Sequence, residues 1–338
     1  MARFEPVTRK MVAEEAGVSV TIVSYVINGN RYVDKDKREK VNKAIKKLDY
    51  HPNVMARSLK SKRSHHILFI ADQIDNEQFG RLMLEMDDLF YSSGYLVSLA
   101  HNRNNDKFIR HIISRKFDGV IISSISMRES YIHALCNAGI AVVLMMNRSY
   151  SHSLDRVGRI YTGLYDGARM CVRHLYEQGC RQMLYVDRMS KRGNFSDLSD
   201  LRLKGYVDEL GALGLPFRTN YVITGCENEE DVSAKIAAHI KKEPTDAIFA
   251  RNDRMAAIAM HAVKEMGLCI PKDIAVTGFD NSNLSRHITP PLTTIEIDRK
   301  GVAGAAADLL QDMLNDKKVS PITLQTRLVV RKSTLKEG

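Results

Sequence analysis

The sequence predicts a small all-α head with a hinge helix, joined to a two-lobed α/β body. Three observations predict it: positive charge gathers near the N-terminus, two short amphipathic helices there meet at a glycine, and strand-length apolar runs alternate with helical patterns over the rest. The chain has 338 residues, 44% of them hydrophobic, which is enough for more than one folded unit with its own core.

The head is marked first by charge. Residues 1–66 hold 15 Lys or Arg against 7 Asp or Glu, whereas the remainder holds 35 against 33. Nearly all of the net charge of +10 therefore sits in the first fifth of the chain. A basic patch attracts polyanions, and a small basic unit on a near-neutral body is the footprint of a nucleic-acid-binding head.

Within it, VTRKMVAEEAGVSVTIVSYVING (7–29) reads as a helix-turn-helix. Val12, Ala13 and Ala16 give the first helix its apolar stripe, and Gly17 supplies the turn. Ser19 caps the second helix, whose inward face is Val23, Val26 and Ile27. The exposed N-terminal side chains of such a second helix enter the major groove, where the four base pairs differ in hydrogen-bonding and methyl pattern. That assigns base reading to Val20, Thr21 and Tyr25. Thr8, Ser19, Ser24 and Asn28 carry short polar groups suited to phosphate oxygens, which fix register rather than sequence preference. A third helix over 35–48 brings Val41, Ala44, Ile45 and Leu48 to the same core, and Tyr50, His51 and Pro52 end it. A further helix in VMARSLK, capped by Asn53, is too short to persist without a partner or DNA. The head thus covers 7–51, the hinge helix and linker 52–64, and the body 65–338.

Beyond residue 64 the texture changes. Apolar runs of strand length lie at 67–71, 95–100, 119–122, 141–146, 183–186, 247–250 and 274–277, with helical patterns between them, as at 81–91, 168–176 and 255–266. This alternation argues for parallel sheets flanked by helices, and the length favours two lobes. In open α/β sheets ligands settle beyond the C-terminal ends of the strands. Polar residues just after the runs are then the candidates: Ser123 after GVII, Arg148 after VVLMMN, Asn252 and Asp253 near IFAR, and Asp280 after VTGF. Asp166 and Arg202 begin helices across the same cleft. Taken singly, each has an ordinary reading: Asp280 as a turn residue, Asn252 or Asp253 as a helix cap, Arg202 as a surface charge. The charged stretch between Val186 and Asp200 reads as a mobile surface loop, with cover of the cleft as the second reading.

Together these segments resemble the lac repressor/galactose repressor (LacI/GalR) family. VAEEAGVSVTIVSYVING is similar to its helix-turn-helix and YHPNVMARSLKS to its hinge; SHHILFIAD, FDGVIIS, RNDRMA, GLCIPKDIAVTGFDN and PPLTTI follow in order through the body. The resemblance implies a transcriptional regulator, a repressor, that binds a pseudo-palindromic double-stranded operator as a homodimer. It implies a body of periplasmic-binding-protein-like (type I) fold with an effector cleft between its lobes. It also implies paired hinge helices in the minor groove, with Leu59 as the wedge and Asn53, Ala56 and Lys60 in the neighbouring groove and phosphate contacts. Such a wedge unstacks one base step and opens a bend that brings more protein onto DNA. In the cleft, the resemblance implies effector contacts for Asp166, Arg202, Asn252 and Asp280, whose carboxylate, guanidinium and amide groups suit neighbouring hydroxyls.

Departures from the family pattern shape the remaining expectations. Tyr25 stands where the family frequently has Arg, and Ile22 where a phosphate-contacting Thr is common, so the half-site is expected to differ from the usual one. Gln78 stands where an aromatic residue is frequent, with Phe79 beside it as an apolar wall, and the chain has no Trp. The expected effector is a small polar molecule, a sugar, with a nucleobase or sugar-phosphate corepressor as the second reading.

Other classes find little support. GxSxG, P-loop and HExxH motifs are absent, and the eleven His and five scattered Cys lack metal-ligand spacing, so no enzyme, cofactor or metal is expected. A stand-alone sugar-binding protein would need the body but not the basic head. No apolar run approaches the roughly 18–20 residues that span a bilayer, and the N-terminus does not resemble a signal peptide, so a cytoplasmic protein is expected. RLVVRKSTLKEG closes the sequence without a leucine heptad, which favours a dimer over a tetramer.

Overall fold

A computed structural model describes residues 7–51, 63–75, 77–151 and 154–335. The chain divides into two compact units, residues 1–64 and 65–338.

Among the described residues the first unit has three helices, α1 (Arg9–Ala16), α2 (Val20–Asn28) and α3 (Lys35–Lys47). Thr8 starts α1 by accepting a hydrogen bond from the Met11 N–H at 3.3 Å. Gly17 ends it in the left-handed conformation at φ 64°, with its own N–H on the Glu14 carbonyl and that of Val18 on the Ala13 carbonyl. This paired return bond closes the last turn and directs the chain at once into α2, which Ser19 caps through the Ile22 N–H at 3.4 Å. In α3, Asp34 and Asp36 lie at the N-terminal end and Lys46 and Lys47 at the C-terminal end, each sign opposing the helix dipole. Val12, Val23 and Val41, one from each helix, are fully buried together and Tyr50 closes the cluster. Each contributes about 1.5–3 kcal/mol of burial, so the unit depends on very few side chains.

Among the described residues the second unit has two parallel sheets. Its first lobe alternates β1 (His66–Ala71), α4 (Glu77–Ser92), β2 (Leu96–His101), α5 (Asp106–Arg115), β3 (Gly119–Ser123), α6 (Glu129–Asn137), β4 (Ala141–Met145) and β5 (Val157–Tyr161). The second lobe follows with α7 (Leu164–Glu177), β6 (Met183–Val186), α8 (Leu201–Ala212), β7 (Val222–Ile223), α9 (Glu229–Lys242), β8 (Ala247–Ala250), α10 (Asp253–Glu265), β9 (Ala275–Thr277) and α11 (Leu284–His287). The chain then runs through β10 (Thr294–Ile297), α12 (Arg299–Leu314), β11 (Ile322–Thr323) and β12 (Thr326–Val329). The first sheet has the order β11-β5-β4-β3-β1-β2 and the second β7-β6-β8-β9, while β10 and β12 form an antiparallel pair.

Strands covered on both faces read as unbroken apolar runs, which is why HILFIA, GVIIS and AIFA stand out in the sequence. The short β7, the terminal β10 to β12, and β5, where Gly158 and Arg159 interrupt the apolar run, are not among the predicted strands. The core runs from Phe69 and Ile121 in the first sheet to Tyr185 and Phe249 in the second, all fully buried. Gly205 lets α8 lie close on α7, because a Cβ there would meet the Tyr165 carbonyl oxygen. No helix among the described residues is long and apolar enough to cross a membrane.

Candidate functional site

The outward face of α2 carries the groups predicted to meet DNA. Val20 is 44% exposed, Thr21 is exposed beside it, and Tyr25 is half-buried with the Arg31 guanidinium 5.3 Å from its ring centre. Thr8 and Ser19 use their oxygens as helix caps, which leaves each hydroxyl hydrogen free to donate to a phosphate oxygen. Asn28 donates to Ser24 at 3.1 Å, so these two side chains are oriented by each other on one helix face. The predicted hinge contacts Asn53, Ala56, Leu59 and Lys60 lie outside the described residues.

The second candidate site follows from sheet order. In the first lobe β2 and β3 flank β1, and in the second β7 and β8 flank β6 in the same way. At such a switch point the connecting loops diverge and leave a crevice at the carboxyl ends of the strands. Both crevices open onto one cleft. Asp72 beyond β1, Ser123 ending β3 and Asn147 beyond β4 line it from the first lobe. Arg188 beyond β6, Arg251 and Asn252 beyond β8, and Asp280 beyond β9 line it from the second. Gln78 and Phe79 of α4, Arg202 of α8 and Arg299 of α12 complete the wall. The cavity between these residues is small, about 60 Å³.

Buried ions dominate this wall. Arg251 donates to Asp200 and to Ser196, both at 2.7 Å, with Asp187 at 3.6 Å. Burial opposes its charge, but Asp200 and its other neighbours outweigh that and raise its pKa. Asp72 faces Arg188 at 3.4 Å while accepting from Ser124, Ser126, Asn102 and the Ile125 N–H at 2.6–3.1 Å. Burial pushes its carboxyl up, yet Arg188 and these donors prevail and hold it below the ordinary value. Arg202 meets Asp280 at 3.3 Å and lies over the Phe279 ring at 4.4 Å. Arg299 donates to Gln78 Oε1 at 2.7 Å and to the Asp280 carbonyl oxygen.

The cleft brings together six of the eight predicted effector residues: Gln78, Phe79, Ser123, Arg202, Asn252 and Asp280. Asn252 also has its ordinary role, capping α10 through the Met255 N–H at 2.9 Å. Two predictions are corrected. Arg148 follows β4 as expected, but its neighbour Asn147 takes the cleft side, and Arg148 turns onto the Met127 carbonyl at 2.8 Å and the Tyr150 ring at 4.5 Å. Asp166 is exposed and borders a groove with Arg169 and Thr326; Leu164 faces the cleft, and two residues further on a helix turns about 200°.

Asp72, Asn147, Arg188, Arg251 and Arg299 were not predicted. The first four obey the rule that selected Asp280, directly beyond a strand, and Arg188 lies in the stretch read as a mobile loop. That stretch is instead held: Ser196 donates to the buried Asp187 at 2.6 Å, the Gln73 amide donates to the Met189 carbonyl at 3.1 Å, and Arg192 donates to the Asn102 carbonyl at 3.0 Å. The last two bonds join it to the first lobe.

Known proteins resemble the chain over the same two units. The family described as "Bacterial regulatory proteins, lacI family" matches residues 9–53, and the "Periplasmic binding protein-like domain" matches residues 172–334. The HTH-type transcriptional repressor PurR of Photorhabdus laumondii subsp. laumondii is 30% identical over 335 residues, covering 97% of each chain. The crystal structure of the lac repressor dimer bound to operator and the anti-inducer ONPF superposes with a TM-score of 0.84 at 26% identity, covering 98% of this chain and all of that one. A transcriptional regulator CelR–cellobiose complex superposes with a TM-score of 0.71 at 25% identity, covering 97% of this chain and 99% of that one. Sequence identity sustained from the head through both lobes is more than a shared fold: the chain belongs to the lacI family of bacterial regulatory proteins, DNA-binding transcriptional regulators rather than enzymes.

Proposed function

We propose that the protein is a repressor that binds a pseudo-palindromic operator as a homodimer, and that a small hydroxyl-bearing ligand in the interlobe cleft sets its operator affinity. The observation that carries the ligand reading is the convergence of both switch-point crevices on one wall of charged and amide side chains. Carboxylate, guanidinium and amide groups complement hydroxyls, which both donate and accept. Val20, Thr21 and Tyr25 read bases, and Thr8, Ser19, Ser24 and Asn28 set register on phosphates. The hinge residues Asn53, Ala56, Leu59 and Lys60 take the minor groove.

Coupling requires only that the ligand favour one arrangement of the lobes and the operator one arrangement of the dimer. A coupling of about 1–3 kcal/mol changes operator affinity roughly 5- to 150-fold. A polyol is favoured over a nucleobase by the composition of the wall, where Phe79 is the aromatic residue among those lining the cleft. Selection of bound sites from random DNA, repeated with sugars, sugar phosphates and purines, tests the whole reading. Enriched two-fold-symmetric sites whose recovery changes with one compound class are expected. Recovery of no preferred sequence would overturn it.

A further inference from the structure

The buried arginines of the cleft are not equally compensated. Arg251 has Asp200 at 2.7 Å, within the about 2.7–2.9 Å of a well-formed charge-assisted bond. Arg188 and Arg202 have one carboxylate each, at 3.4 and 3.3 Å, both beyond that range. Arg188 shares its partner, Asp72, with four other donors. Arg299 donates to two neutral oxygens. The Nε–H groups of Arg188 and Arg202 are buried and have no acceptor among the described residues. An orphaned buried donor costs free energy that a native structure normally avoids. Burial, with Arg251 beside it, outweighs Asp72, Asp187 and Asp200 and pulls the Arg188 pKa down to about 10.

Resting on the regulatory reading above, we infer that the ligand is a hydroxylated acid whose oxyanion, carboxylate or phosphate, seats on the Arg188 and Arg202 edges of the cleft. The Nε and one terminal nitrogen of a guanidinium present two parallel N–H groups, and that fork matches the two oxygens of a carboxylate or phosphate. Arg188 stands on the second lobe and its partner Asp72 on the first. An oxyanion on Arg188 therefore competes with an interlobe ion pair, which gives the ligand a direct hold on lobe arrangement.

The test uses the full chain and matched compounds at fixed ionic strength: glucose against gluconate and glucose 6-phosphate, galactose against galactonate, ribose against ribose 5-phosphate, with hypoxanthine and guanine alongside. Melting temperature and titration calorimetry report binding, and operator retardation is followed in the same samples. At least one acid is expected to bind about tenfold or more tightly than its neutral partner, and the carboxylate and phosphate arms identify which oxyanion it is. Arg188→Gln is expected to erase the preference, and Arg188→Lys, which keeps the charge without the fork, to retain part of it. Neutral compounds binding as tightly as their acids, silence of every acid, or an intact preference in Arg188→Gln each overturn the inference. The wild-type comparison decides it even if a variant fails to fold. A neutral ligand that moves operator affinity defeats this inference and leaves the regulatory reading standing. An acid that binds without moving operator affinity does the opposite.

Discussion

In the head, the groups offered to DNA stand on the surface of a unit held by helix caps and a few aliphatic side chains; in the body, the groups offered to a ligand are buried ions that hold one another. The head can exchange a base-reading residue without touching its core. The body cannot exchange Asp72, Arg188, Arg202, Arg251 or Asp280 without disturbing a charge network, so ligand specificity and stability are linked there.

The sharpest way to break this comparison is to attack the core of the head. Val23→Asp buries an unpaired carboxylate where exposure is 0%, at a cost of about 3 kcal/mol or more in a unit with little core to spare. Circular dichroism should show loss of the head's helices with the melting of the body retained, and operator retardation should vanish. Retained retardation would show that the aliphatic cluster does not hold the head.

In the body the matching substitution removes charge alone. Asp200→Asn keeps the oxygen that caps α8 through the Arg202 and Leu203 N–H groups, but leaves Arg251 with Asp187 at 3.6 Å. A loss of about 3 kcal/mol is expected, read as a fall in the melting temperature of the body. A change within about 0.5 kcal/mol would mean that the network is solvated rather than dry.

A third prediction concerns pH. Burial, then the neighbouring Asp280 carboxylate, raises Asp253 to about 7. Unfolded, this group ionises near its ordinary value, so between about pH 4 and 7 the folded chain keeps a proton the unfolded chain has lost. Its contribution to stability therefore falls as pH rises through that window. His66, His174 and His239, whose pKa values burial lowers, act in the opposite direction up to their ordinary value. The difference between wild type and Asp253→Asn isolates the term: the wild type should lose stability relative to the variant as pH rises, by a few kcal/mol in total. Parallel curves would show that Asp253 does not carry it.

The smallest effect belongs to a cap. Thr8→Ala removes the bond to the Met11 N–H and should cost the head about 1 kcal/mol, while weakening operator binding equally across half-site variants. Thr21→Ala, by contrast, should alter preference at one base position by about 1–3 kcal/mol. If Thr8→Ala also changed preference, the division between register and reading would fail.

How much of each region was legible in the sequence follows the same contrast. The head was readable because its determinants are local: Thr8, Gly17 and Ser19 act within three or four residues of their own positions, and Val12 with Ala16, and Val41 with Ala44, repeat at helical spacing within their own helices. The sheets were readable where a strand is an unbroken apolar run, and unreadable at β5, where Gly158 and Arg159 interrupt the run, at β10 and β12, which carry Glu296 and Arg327, and at β7 and β11, which are two residues long. In the cleft, the strand-end rule located the wall but not the direction of each side chain. It therefore named Arg148 where the adjacent Asn147 faces the cleft, and passed over Asp72, Arg188 and Arg251, whose charges resemble those of any solvated loop. Arg299 reaches Gln78 across 221 residues of sequence, a pairing that no local pattern encodes.

If occupancy of the cleft sets the grip of the head on DNA, ligand and operator must each change the affinity for the other. Fluorescence anisotropy of a labelled selected operator, titrated with the full chain with and without a saturating compound that raises the melting temperature of the body, tests it most directly. Operator affinity is expected to change about 5- to 150-fold, matched by an equal change in the affinity for the compound when operator is present. Identical operator affinity with the compound demonstrably bound would contradict it.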